Sequence, residues 1–238
     1  MYETLKKKFS EIIDQANLAS EEVTISGRAL TAKEAIGNPE HLDYPLQKGK
    51  ERLMQAEFRG SFGQAFTDMS DNFEGRLSQI VEMNLTSNFR RAIFISTINA
   101  VMRYLGMIDK SMHCKETSPV SCSKELTKYL KEEFGKPKVA LVGLQPRMLE
   151  ALSGEFDVKV IDLDENNIGQ KAYGIMIGPP QRTDVNLSWC DIALITGTTL
   201  INDTIGEFKT EKPVIFYGVT IAGPARLLGL EHFCPYSL

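Results

Sequence analysis

The chain has 238 residues, of which 42% are hydrophobic and 24% charged, and its formal net charge is -4. This is enough sequence to bury a core without staples, in one large domain or two ordinary ones. The mild acidic excess argues against a dedicated nucleic-acid binder and against a protein held on an anionic membrane.

The first segment, Met1 to Ser20, sets Leu5, Phe9, Ile12, Ile13 and Ala16 at helical spacing among Lys6, Lys7, Lys8, Glu11 and Asp14. It reads as an amphipathic helix and lacks the apolar centre of a signal peptide. A short β-prone run follows at Val23 to Leu30, then turn chemistry at Gly37-Asn38-Pro39 and Asp43-Tyr44-Pro45. Glu57 to Asp68 reads as a strand or hairpin with a tight bend at Gly60 to Gly63. Two helices come next. The second, Ser87 to Leu105, has Thr86, Ser87 and Asn88 as cap candidates and Gly106 as its stop. Its apolar stretch, Ala92 to Met102, is too short to span a bilayer. The first half is therefore α+β, and His113 to Ser123, with Pro119 among Ser and Thr, reads as the linker.

Beyond Ser123, short apolar runs alternate with helical patterns. Strands are expected at Val139 to Val142, Val158 to Ile161, Ile175 to Ile177, Ile192 to Ile195 and Val214 to Tyr217. Helices are expected at Arg147 to Leu152, Leu200 to Phe208 and Ala225 to Leu230. Continuous apolar strands alternating with helices imply an α/β domain with a parallel sheet covered on both faces.

Three turns after these strands share one grammar: Gly143-Leu144-Gln145-Pro146, Thr196-Gly197-Thr198-Thr199, and Gly218-Val219-Thr220-Ile221-Ala222-Gly223-Pro224. A parallel sheet gathers the carboxyl ends of its strands along one edge, so the turns should meet there. Each would aim a helix N-terminus at a shared crevice suited to an anion, with glycine letting a ligand approach the backbone. The bland alternative is that the threonines only cap helices and the prolines only suit a first helical turn. Asp162 lies 19 positions after Gly143, near the place of the acidic residue that binds a ribose hydroxyl in dinucleotide folds. The turn lacks G-x-G-x-x-G, however, and Asp162 can equally be a solvated strand end. Asn202, after T-G-T-T, could face the same crevice.

Two further groups carry chemistry. His113, Cys114 and Cys122 are candidate metal ligands, since nitrogen and sulfur donors suit zinc, copper or iron, although no pair has zinc-finger spacing. The four cysteines, Cys190 and Cys234 included, form no C-x-x-C pair and read as reduced thiols, in keeping with a cytoplasmic protein. Lone cysteines of this kind are commonly small core residues. Lys48-Gly49-Lys50-Glu51-Arg52 reads first as a solvated helix face. If the halves form a cleft, Lys48, Glu51, Glu57 and Asp68 are the candidates for an acid, a base or a ligand grip.

The runs K-E-A-I-G-N-P at Lys33 to Pro39, Y-P-L-Q-K-G-K-E-R at Tyr44 to Arg52 and G-S-F-G-Q-A-F-T-D at Gly60 to Asp68 carry a resemblance. So do V-G-L-Q-P at Val142 to Pro146, I-T-G-T-T-L-I-N-D-T at Ile195 to Thr204 and F-Y-G-V-T-I-A-G-P-A at Phe216 to Ala225. Together they resemble the family described as "Putative heavy-metal chelation". The resemblance implies an enolase N-terminal-like α+β domain at residues 1–112, a Rossmann-like domain at 113–238, and a site in the cleft between them. Three functions follow as expectations. The leading one is binding or processing of a small anionic ligand or metal chelate in the cleft, with a divalent transition metal as the cofactor and a homodimer allowed. The second is an enzyme using a nucleotide or S-adenosylmethionine. The third is a structural or regulatory module whose Rossmann-like half has lost its ligand.

Overall fold

The computed structural model describes residues 1–18, 24–39, 41, 43–48 and 51–238. Helix α1 (Tyr2–Gln15) buries Leu5, Phe9 and Ile13, the stripe that its periodicity predicts. Strand β1 (Thr24–Leu30) leads into α2 (Ala32–Ile36), which starts at a capping box between Thr31 and Glu34. A short helix, α3 (Pro45–Lys48), starts at the last residue of the expected turn and precedes the hairpin β2 (Arg52–Phe58) and β3 (Ser61–Thr67). Arg52 thus opens a strand and is not on a helix face, while residues 49–50 lie outside the described residues. The hairpin turns on Arg59 and Gly60, both at positive φ, as a two-residue connection requires. Gly63 lies inside β3 and not in the bend. Strand β4 (Phe73–Arg76), which the sequence reading does not contain, completes an antiparallel sheet of order β3-β2-β1-β4.

Helices α4 (Leu77–Glu82) and α5 (Asn88–Tyr104) follow, with Ser87 capping α5 through its bond from Arg90 N. Every residue from Arg91 to Met102 is buried, so the run that hydropathy singled out is a helix covered on all sides. One side lies on β2 and β3, and the other meets the C-terminal helices. The presumed linker is mostly helix: α6 (Ser118–Phe134) starts with Pro119 in its first turn, where a missing N–H costs nothing.

The rest alternates as expected. Strand β5 (Val139–Val142), α7 (Pro146–Ser153), β6 (Val158–Ile161), the hairpin β7 (Lys171–Ala172) and β8 (Ile175–Gly178), and α8 (Thr183–Trp189) come first. They are followed by β9 (Ile192–Thr196), α9 (Thr198–Ile201), β10 (Val214–Tyr217), α10 (Ala222–Leu228) and β11 (His232–Phe233). The helix expected at Leu200 to Phe208 is instead the single turn of α9 and a 3-10 turn at Ile205–Glu207. These strands form a seven-stranded sheet of order β11-β10-β9-β5-β6-β8-β7, parallel except for the edge pair β7 and β8. The chain runs outward from β5 through β6 to β8 and then returns to the other side of β5 at β9. The topological switch point therefore lies between β5 and β9.

Alternate residues of these strands enter two different cores. Val139, Leu141, Val160 and Leu194 pack with α6 and α7, whereas Ala140, Val142, Ala193 and Ile195 join a core that also holds Phe9, Phe58, Phe94 and Ile98. That second core is continuous across residues 112 and 113, so the two sheets share one interior built around α5. Among the described residues no helix is long and apolar enough to cross a membrane.

Candidate functional site

The carboxyl ends of β5, β6, β9 and β10 open on one cavity of about 900 Å³ at the switch point. Its opposite wall comes from the first half of the chain, through Tyr44, Glu51, Phe66, Thr67, Asp68 and Asn88. Volume and position are those of a small-molecule site.

Most of the residues singled out in the sequence meet here. Gly143, Gln145, Asp162, Thr196, Thr198, Thr199, Asn202, Gly218 and Thr220 line the cavity, as do Glu51, Asp68, His113, Cys114 and Cys122. Pro146, Gly197 and Gly223 are buried behind the wall. Glu57 lies exposed on β2 and does not line the cavity. Lys48 ends α3, and its side chain lies outside the described residues.

Gly143 and Gly197 are close-packed, whereas Gly218, at φ +89°, has open space where a Cβ would stand. A Cβ on Gly143, at φ +87°, would stand 2.7 Å from Thr196 Cγ2, and one on Gly197 would stand 2.8 Å from Ile221 Cβ. The turns are pressed against each other, and side chains would wedge them apart.

Some of the N–H groups in these turns, those of Leu144, Met148 and Gly223, are engaged by side chains. Asp162 Oδ2 accepts from Leu144 N at 2.6 Å and its Oδ1 from Asp164 N at 2.7 Å. Gln145 Oε1 caps α7 by accepting from Met148 N at 2.5 Å, and Asn99 Oδ1 accepts from Gly223 N at 2.8 Å. Asp162 thus fills the Gly143 turn with a carboxylate of the protein itself. Both of its oxygens accept from backbone N–H groups, a structural task that neither the ribose reading nor the solvated strand end contains.

What lines the cavity is acidic. Glu51, Asp68, Asp162, Asp164, Glu165 and Glu207 reach it from four separate segments, and among the described residues no lysine or arginine does. Burial, reinforced by Asp162, Asp164 and Asp68, pushes the Glu51 carboxyl up to about 7. Asp68 and Asn202 are joined through Asn88, whose Nδ2 donates to Asp68 Oδ1 at 2.7 Å and to Asn202 Oδ1 at 3.2 Å. The hydroxyls of Thr196 and Thr198 pair at 2.9 Å beside them.

A different environment surrounds the thiols. Cys234, the C-terminal cysteine, lines the same cavity as Cys114 and Cys122. Burial raises the thiol of Cys114 to about 12, with Cys234 adding to the effect. Cys122 is raised likewise, by burial and then by Cys234 and Cys114. These are protonated, weakly polar groups. His113 is fixed by its backbone N–H, which donates to Gln64 Oε1 at 2.6 Å, and by edge-on contact with Phe66 at 5.3 Å between ring centroids. Burial pulls its imidazole down to about 4, so it is neutral. Although His113, Cys114 and Cys122 share a cavity, among the described residues no three His, Cys, Asp or Glu stand where they could hold a metal ion together.

Sequence reasoning missed Tyr44, Asn88, Asp164, Glu165, Glu207 and Met148 in this wall. The only signal for any of them was the acidic run Asp162-Leu163-Asp164-Glu165 directly after β6. It also missed Arg147, which ties the segment of Asp43 to α7. Arg147 is 4% exposed and donates to Asp43 Oδ2 and Glu150 Oε2, both at 2.7 Å, and to the Tyr173 hydroxyl.

Fold and site together define a mixed α/β protein with a mostly parallel seven-stranded sheet and an acid-lined cavity at its switch point. The model of the family described as "Putative heavy-metal chelation" matches residues 127–222, from α6 to the start of α10. The fold is similar to that of a protein with unknown function from the DUF364 family of Pyrococcus horikoshii, at 15% identity and a TM-score of 0.54, over 90% of this chain and 79% of that one. A second DUF364 protein of unknown function, from Desulfitobacterium hafniense DCB-2, is 13% identical with a TM-score of 0.48, over 75% of this chain and 72% of that one. No curated protein matches the sequence.

Proposed function

We propose that this protein binds a metal complex or another cationic small molecule in the cleft between an α+β part, residues 1–112, and a Rossmann-like part, residues 113–238. One observation carries the reading: six carboxyl side chains line a cavity of about 900 Å³ that no described lysine or arginine enters. Such a wall attracts a cation and repels a free anion, which turns the expectation of an anionic ligand toward its metal-bearing form. The described side chains do not close an inner shell around a bare ion. The complex would therefore bring its own donors, and Glu51, Asp68, Asp164 and Asn202 would hold it by charge and hydrogen bonds. The description of the matching family supports the same direction.

The test is a thermal-shift and calorimetric comparison of Zn²⁺, Cd²⁺ and Ni²⁺, each free and as its cationic 1:1 histidine complex. Binding raises the melting temperature by several degrees at saturation. The double variant Glu51→Gln/Asp68→Asn loses that rise. If no metal or complex shifts the wild-type protein, the reading is wrong.

A further inference from the structure

Arg91 does not line the cavity, yet it decides which polar atoms part of the wall presents there. It is 9% exposed, and it donates from Nε to Ile201 O at 2.5 Å, from Nη1 to Leu85 O at 2.9 Å and from Nη2 to Asn88 Oδ1 at 2.6 Å. A guanidinium only donates, so the Asn88 amide turns its oxygen to Arg91 and its nitrogen the other way. That nitrogen carries two hydrogens and meets two oxygens, Asp68 Oδ1 at 2.7 Å and Asn202 Oδ1 at 3.2 Å. Asn202 therefore shows its oxygen to Asn88, which turns its own nitrogen away. The polarity of each amide follows from the one before it, starting at a cation that cannot accept.

Two atoms are left over, Asp68 Oδ2 and Asn202 Nδ2. The other oxygen of each side chain accepts from one and the same nitrogen, so the two side chains stand side by side, and both residues line the cavity. Neither is sealed off, since Asp68 is exposed and Asn202 half-buried. Among the described residues neither leftover atom has a hydrogen-bond partner. Asn202 is also held from behind: its backbone N–H donates to Thr198 O at 3.0 Å, and Arg91 binds the carbonyl of the residue before it. Carboxylates alone read charge. A fixed donor beside a carboxylate reads an edge.

We infer that Asp68 Oδ2 and Asn202 Nδ2 form an acceptor–donor pair for a carboxamide edge of the ligand, N–H to Asp68 and C=O to Asn202, with Arg91 acting through Asn88 as the positioning residue. This rests on the proposed function and names the organic part of its ligand: a primary amide or lactam, which carries N–H and C=O on one edge, next to the cationic or metal-bearing head. A carboxylate would set oxygen against Asp68, and an ester would bring it no hydrogen. An amide completes both bonds.

Two monocations of one shape test this by calorimetry: para-aminomethylbenzamide and methyl para-aminomethylbenzoate, which differ at the edge in the N–H. The amide is expected to bind tighter than the ester by about fivefold, the worth of one net hydrogen bond, and to shift the side-chain amide signals of Asn202 in NMR spectra. Asn202→Asp replaces the donor by a second acceptor and should weaken the amide by a similar factor, although its added charge would tighten any cation held by charge alone. Asn88→Asp, which Arg91 can still hold, puts oxygen where Nδ2 stood, turns Asn202 round and should weaken the amide likewise. Both variants keep the shape of asparagine, and the comparison of amide with ester in the wild type needs neither. Equal affinity for amide and ester, a gain in amide affinity with Asn202→Asp, or amide binding that Asn88→Asp leaves unchanged overturns the inference and leaves a cation held by charge. If neither probe binds, the inference falls, and the metal complexes of the first test decide separately whether the proposed function falls with it.

Discussion

Asn99 in α5 and Gly223 at the start of α10 are joined by a 2.8 Å hydrogen bond from backbone N–H to side-chain oxygen at the centre of the molecule. The amide nitrogen of Asn99 faces the carbonyls of Gln64, Val219 and Thr220 at 2.9, 3.1 and 3.3 Å. One side chain therefore links β3 to the turn after β10, which are the two walls of the cavity. Close approach is what makes this reach, since a Cβ on Gly223 would stand 2.8 Å from Asn99 Oδ1 and from Ile98 Cγ2.

Asn99→Asp should be among the most damaging single changes, because it exchanges a donor for an acceptor before three carbonyl oxygens. A loss of about 3 kcal/mol is expected from buried groups left unsatisfied. Gly223→Ala acts on the same contact by steric overlap and should lower the urea midpoint as well. A midpoint within error of wild type for both variants would remove Asn99 from its place as the tie between the walls.

Asp162→Ala should destabilise by about 2–3 kcal/mol, since it leaves Leu144 N–H and Asp164 N–H without their acceptor. The sequence leaves a ribose partner or a solvated strand end open for this carboxylate, and both of its oxygens accept from backbone N–H groups. Adenine cofactors are accordingly expected to leave the melting temperature unchanged. A cofactor that stabilises the wild type and fails with the Asp162 variant would restore the nucleotide reading.

Strands β5, β9 and β10 were legible because each is a short, largely buried apolar run, and the meeting of their turns follows from parallelism alone; β11, a half-buried pair, gave no such signal. Helix α6 was hidden by Pro119 and its serines, which signal a loop in sequence but suit a first helical turn. The roles of Gly143, Gly197 and Gly223 depend on what a Cβ would strike, and Thr196, Ile221 and Asn99 are all distant in sequence or on another element. Least legible was the sign of the cavity. Glu51, Asp68, Asp162 and Glu207 come from separate segments and are individually ordinary surface residues; only the fold sums their charge.

Arg147 fastens the segment carrying Asp43 and Tyr44 to α7, with its guanidinium over the Tyr173 ring at 5.6 Å. Arg147→Met should cost about 3 kcal/mol, because it leaves Asp43, whose Oδ1 already lacks a partner, without its cation. Hydrogen exchange should rise in residues 43–46 more than in α5. Uniform acceleration across both would mean that the ion pair supports the whole fold and not this wall.

The pH dependence of stability should contain two opposed slopes. Glu51 is raised from 4.5 to about 7, so the folded state holds its proton more tightly; that contribution is full below about 4.5 and lost as pH rises through 7. His113 is lowered from 6.5 to about 4, so its contribution is present above about 6.5 and lost as pH falls through 4. Between pH 4.5 and 6.5 the two oppose each other, and the wild-type profile should be nearly flat there. Glu51→Gln removes only the falling slope. Its stability should climb from pH 4 to 6.5 and exceed wild type at pH 8 by on the order of 1–2 kcal/mol, a figure discounted because Glu51 is half-buried. Urea titrations of both proteins at half-unit pH intervals measure this directly. Parallel wild-type and variant profiles would mean that Glu51 ionises as an ordinary surface carboxyl, and that the acidic cavity exerts no strain for a cation to relieve.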